Sequence, residues 1–222
     1  MSITEPMTMA TDYLVAACGL WWGAGLARRA RSGGQRTVGW WALGFGAIAL
    51  AAFAGGTWHG FQRTLAPGAS VVLWKATLLA AGLVGFAILA ASFSAHVRGP
   101  LRAILLAVAA VKLLLYAAWM LRHDDFVWVI LDYGGSMVVA LALHAAAWWR
   151  RREPPAPWIV AAILVSFAGA AVQAGGLSLH RHFNHNDLYH VIQVAGLYLF
   201  YRGAGLARDR ANETGGHAGG GL

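Results

Sequence analysis

Charge is what this chain has least of. Only 12% of its 222 residues are Asp, Glu, Lys or Arg, about half the share that keeps an ordinary globular domain dissolved. Lysine occurs only at Lys75 and Lys112. The single cysteine, Cys18, excludes an internal disulfide, a thiolate-rich metal site and a dithiol redox pair. It lies inside an apolar run and reads as a small buried side chain. The apolar runs also lack the period-2 alternation of membrane strands, which excludes a β-barrel.

What is present is apolar surface: 59% of the residues are hydrophobic and 11 are tryptophan. The solvent for most of such a chain is lipid. The net charge of +8 comes from arginines in short clusters between apolar runs. That is the pattern of topology signals and anionic headgroup contacts, and it argues against nucleic acid as a partner. Residues 1–12 lack a basic stretch and carry Glu5 and Asp12, so no cleavable signal peptide is expected.

A helix that crosses about 30 Å of hydrocarbon needs about 20 mostly apolar residues. That ruler predicts an all-α polytopic membrane protein with seven transmembrane helices. They run from Asp12 to Ala27, Val38 to Phe61, Ser70 to Phe93, Leu101 to Leu121, Phe126 to Trp149, Trp158 to Leu179 and Asp187 to Leu206. Ser32-Gly33-Gly34, Pro67-Gly68, Gly99-Pro100, His123-Asp124-Asp125 and Pro154-Pro155-Ala156-Pro157 mark breaks. Arg28, Arg29, Arg31, Arg36, Arg98, Arg102, Arg150, Arg151, Arg152, Arg202, Arg208 and Arg210 fall on one side of this layout. Only Arg63, Arg122 and Arg181 fall on the other, so the N-terminus is expected outside and the C-terminus in the cytoplasm.

Residues 1–208 then form one transmembrane domain, and 209–222, Gly-rich and polar, read as a disordered cytoplasmic tail. Gly19, Gly23, Gly44, Gly46, Gly82 and Gly169 allow helices to approach closely. The Ala, Gly, Arg and Trp bias suggests a bacterial inner membrane, and a homo-oligomer is left open.

Ionisable side chains inside lipid cost roughly 2.5 kcal/mol or more near the bilayer centre, so each one asks for a reason. His59, Lys75, Asp132, Gln173 and His190 all fall in the outer half of their segments. Lys112 lies about 14 Å in from the outer end of the fourth, level with Asp132 on the fifth, which makes an ion pair reasonable. The inner half holds little beyond His144, whose place near a helix end suits snorkelling. A converging polar layer implies a cavity in the outer half.

The stretch His180-Arg181-His182-Phe183-Asn184-His185-Asn186-Asp187-Leu188-Tyr189-His190 is the richest in donor groups. Asn184 or Asn186 can cap the seventh helix and Asp187 suits its first turn. Asp187 and Asn186 share a helix face with His190. With His59, the histidines His185 and His190 can supply three ligands to a metal that keeps a water in its fourth position. Nitrogen ligands without thiolate suit zinc, with iron and manganese as alternatives. The plainer reading is that His59 and His190 hydrogen-bond across helices.

Residues 184–193 look like the last-helix motif of the CREST membrane hydrolases, two zinc-binding histidines four apart. Gly56-Thr57-Trp58-His59 looks like their second-helix motif, a serine four residues before a histidine. That superfamily includes alkaline ceramidases and adiponectin-receptor-like proteins. The resemblance implies seven helices, one zinc held by three histidines, and hydrolysis of a lipid amide. The chain departs from the pattern in three places. Asn186 stands four before His190, with His185 displaced by one. Gly55 stands four before His59, so Thr57 would supply the hydroxyl. Lys75 is the only charge on the third segment, where the family has an aspartate.

Two readings follow, with a third behind them. The first is a zinc-dependent intramembrane hydrolase of a lipid amide or ester. His59, His185 and His190 hold the metal in it, Asp132 or Asp187 takes the proton, and Lys75 stabilises the oxyanion. The second is a b-type haem electron-transfer protein with His59 and His190 as axial ligands. The third is a sensor or proton-coupled transporter using Lys112 and Asp132 as a relay.

Overall fold

The computed structural model describes residues 3–210. Of the disordered tail expected over 209–222, residues 211–222 lie outside them, whereas Asp209 and Arg210 are held in place, Asp209 accepting N–H groups of Arg36 and Thr37 and the Arg210 N–H donating to the Ser94 carbonyl. Among the described residues seven helices follow one another: α1 (Pro6–Gly33), α2 (Arg36–Phe61), α3 (Pro67–His96), α4 (Gly99–Met120), α5 (Val127–Arg151), α6 (Ala156–Ala174) and α7 (His185–Leu206). Among the described residues there is no strand, only one isolated bridge between His180 and Phe183. Five helices, α2 to α6, are long and apolar enough to cross a membrane.

The helix ends follow local chemistry. Proline near the start of α1, α3, α4 and α6 fits a position where its missing N–H is no loss. That moves α1 six residues ahead of its expected start and brings Asp12 a full turn inside the helix. At α6 the expected end, Leu179, is too late. Gly175 closes the helix and Gly176 turns away at φ 64°, in the left-handed region that glycine enters without strain.

Packing runs α1–α2–α3–α5–α6–α7 and back to α1, so six helices close a ring, while α4 lies against α3 outside it. The tight seam of α1 on α2 depends on small residues, because a Cβ on Gly23 would reach 3.0 Å from Phe45 Cβ. Trp41, Phe45, Ile48, Ile88, Met137, Ile163, Leu197 and Phe200 fill the middle of the ring. The connections α2–α3, α4–α5 and α6–α7 gather with the N-terminus at one end, here called the N-terminal end.

Candidate functional site

All six ring helices contribute to one cavity of about 300 Å³ toward the N-terminal end. Its polar wall is Asp12 from α1, His59 from α2, Thr77 from α3, Gln173 from α6, and Asn186, His190 and Gln193 from α7. The rest is apolar or aromatic, with Ile48, Trp74, Val84, Phe126, Val129, Tyr133 and Tyr189. An apolar chamber with a few converging polar groups is the usual form of a small-molecule site.

Each histidine on this wall has a carboxylate of its own. Nδ1 of His59 lies 3.0 Å from Oε2 of Glu5, and Gln62 donates to the other Glu5 oxygen at 3.3 Å. The chain just before α1 is itself tied to the end of α2, where the Thr4 N–H donates to the Gly60 carbonyl. His190, 8% exposed, has Nδ1 3.0 Å from Thr11 Oγ1 and Nε2 3.3 Å from Asp12 Oδ1.

The first turns of α7 are locked around this pair. Asn184 accepts from the N–H groups of Asn186 and Asp187, and Asp187 Oδ2 accepts the Asn184 N–H, a complete capping box. The second Asp187 oxygen accepts the Thr8 hydroxyl at 2.8 Å, which fixes α7 to α1. Gln173 donates to Asn186 Oδ1 at 3.0 Å across α6 and α7.

Of the residues singled out from sequence, His59, Gln173, Asn186 and His190 meet on this cavity, and His185, Asp187, Thr57, Lys75, Lys112 and Asp132 do not line it. His185 begins α7 but is not on the cavity wall, where Asn186 takes its place. Asp187 is fully buried in the cap. Thr57 hydrogen-bonds to the Phe53 carbonyl and Tyr13 hydroxyl, off the cavity wall. Lys75 reaches the carbonyls of Met120 and His123 and the Asp124 carboxylate, so it caps the end of α4. Asp132 pairs with Lys112 at 2.6 Å beside Gly85, where a Cβ would reach 2.9 Å from Asp132 Oδ2. That pair forms as expected, on the α3–α4–α5 seam and away from the cavity.

Sequence reading passed over Asp12, Glu5 and Thr11 because it placed them in or beside an N-terminal flank. The signal was Pro6 followed by Thr8, Thr11 and Asp12 at helical spacing.

Both His190 nitrogens are engaged within the chain, and His185 is absent from the wall. Among the described residues no group of three or more His, Cys, Asp or Glu side chains is placed to hold a metal ion. The residues present do not fit a three-histidine zinc centre, and the engaged His190 does not fit a haem axial ligand.

These features define a class: a seven-helix, all-α protein with membrane-capable helices and an internal acid–histidine cavity. The chain belongs to a family of unknown function, DUF6962, whose match covers residues 7–209. No curated protein and no solved structure matches it.

Proposed function

We propose that the protein is an intramembrane hydrolase that cleaves an ester or amide carrying an apolar chain, by acid–base chemistry of Glu5–His59 and Asp12–His190. The observation that carries this reading is that two carboxylate-held histidines, from α2 and α7, line one largely apolar cavity.

The roles follow from the partners. Glu5 accepts the Nδ1 proton of His59 and leaves Nε2 as a base for a water in the cavity, the logic by which a carboxylate orients a catalytic imidazole. Asp12 and His190 hold a proton between them at 3.3 Å, with Thr11 fixing the far side of the ring. When water attacks the carbonyl carbon, His59 takes its proton, and the developing oxyanion is met by the Asp12–His190 proton. Collapse breaks the bond to the alcohol or amine, which leaves with the proton that His59 took. Two acid–base groups in different surroundings divide the labour in this way.

The apolar walls suit an amphiphile entering from the bilayer. Arginine asymmetry supports an orientation with the cavity in the outer half of the membrane.

The test uses protein reconstituted in liposomes with acyl esters and acyl amides, products being followed by mass spectrometry. Hydrolysis that falls about 10²- to 10⁴-fold in His59→Ala supports the reading. No turnover by folded protein, or turnover indifferent to His59, sinks it. Elemental analysis of the same sample adds a further arm: stoichiometric metal whose chelation stops turnover would replace the acid–base scheme with a metal-centred one.

A further inference from the structure

Far from the cavity, at the opposite end of the bundle, four side chains form a continuous polar file inside the α3–α5 seam. Ser92 Oγ lies 3.4 Å from His144 Nε2, and His144 Nδ1 lies 3.1 Å from His96 Nε2. His96 Nδ1 lies 3.4 Å from Glu153 Oε2. Ser92 is 0% exposed and His144 2%, while the Glu153 side chain, in the α5–α6 connection, is 23% exposed. The file therefore leads from a solvent-accessible carboxylate to the dry interior of α3.

Imidazoles are costly to bury, and packing alone would be better served by leucine. We propose that Ser92, His144, His96 and Glu153 form a proton-binding relay, which takes one proton from the side bearing the C-terminus and returns it.

The geometry gives the chain two complete hydrogen-bond patterns that differ by one proton. In the empty pattern the Ser92 hydroxyl donates to the Ile88 carbonyl, 2.8 Å away, His144 Nε2–H donates to Ser92 Oγ, His96 Nε2–H donates to His144 Nδ1, and His96 Nδ1 stands unprotonated toward Glu153. In the loaded pattern His96 Nδ1 has taken a proton, His96 Nε2 has passed its own to His144 Nδ1, and His144 carries the added charge with both nitrogens protonated. No ring and no hydroxyl has to turn, so neither state strands a buried donor.

At the outer end His96 Nδ1 makes no well-aligned hydrogen bond, although it is buried. That is where a proton can be handed over. Glu153 is also the anchor for Arg151 Nε at 3.0 Å and for Arg210 at 3.4 Å, and Arg102 from α4 binds the Arg210 carbonyl. These cations hold the carboxylate in place beside His96.

NMR of histidine-labelled protein in detergent reads the relay directly, through exchange of the His144 imidazole proton with solvent. A relay makes that proton exchange far faster than neighbouring α5 amides, which must wait for the helix to open. Glu153→Gln or His96→Phe should slow it by at least about tenfold while melting temperature and the α5 amides stay as they were. Exchange in the wild type no faster than those amides would overturn the proposal. So would fast exchange that both folded variants leave unchanged. Glu153→Gln keeps the test decisive if His96→Phe does not fold, because its side chain is partly exposed and nearly the same shape.

Discussion

Both ends of the bundle hold a pair of histidines, and the two pairs are built differently. At the N-terminal end His59 and His190 stand on the wall of a cavity, each against its own carboxylate, Glu5 and Asp12. At the other end His96 and His144 touch each other, both side chains buried in the α3–α5 seam, and the file closes on Glu153. A histidine with a private carboxylate and an open void is equipped to act on something that enters. Two histidines in series, closed by one carboxylate, are equipped to pass a proton along. The residue types are the same, and the difference lies in whether the helices leave space around them.

The largest expected effect breaks that comparison at its sharper end. Asp12→Asn keeps the shape of the His190 partner but removes the carboxylate, and should lower ester or amide turnover about 10²- to 10⁴-fold. His144→Phe, at the other end, should leave turnover close to wild type provided the protein remains folded. Equal losses in the two variants would mean that the ends are not separate devices.

A second prediction concerns the ion pair that belongs to neither end. Lys112 and Asp132 lie on the α3–α4–α5 seam, with Lys112 about a third exposed and Asp132 at 8%. Lys112→Met strands the carboxylate and should cost about 3 kcal/mol, the low end of the range for a broken buried pair because Lys112 is not fully enclosed. Adding Asp132→Asn should restore most of that loss, since a neutral amide no longer needs the cation. Thermal unfolding in detergent measures both. A double variant no more stable than the single would show that the pair is not electrostatic in origin.

Much of this layout was legible in the residues alone. Helix number, the Lys112–Asp132 pair and the meeting of His59 with His190 follow from segment length and depth, because lipid leaves a chain few alternatives. What was hidden depends on helix ends and on rotation about the helix axis. Asp12 reads as flank until Pro6 is seen to start α1 early. His185 and Asn186 are neighbours in sequence, yet only Asn186 lines the cavity, and no spacing rule settles which of the two turns inward. His144 reads as a snorkelling side chain near a helix end, but it is buried against His96 and Ser92, because α3 runs on to His96 and brings those partners alongside. Its relay partner Glu153 sits in a connection whose fold no periodicity records.

The smallest effect distinguishes the ends most finely, through two helix caps of different origin. At the N-terminal end α7 is capped by its own Asn184. At the other end α2 has no side-chain cap of its own, and the Asp209 carboxylate accepts the N–H groups of Arg36 at 2.9 Å and Thr37 at 2.7 Å from across the chain. Removing either cap, by Asn184→Ala or Asp209→Ala, should cost about 1 kcal/mol of stability. The consequences for function should part. Asn184 also positions Asp187, which holds Thr8 on α1, and the turn that follows carries His190. Asn184→Ala should therefore lower turnover as well as melting temperature. Asp209 ties only the far end together, so Asp209→Ala should lower melting temperature and leave turnover intact. If Asp209→Ala instead slowed hydrolysis as much as Asn184→Ala, the rigidity of the cavity would have to depend on both ends of the ring, and the separation drawn between them would fail.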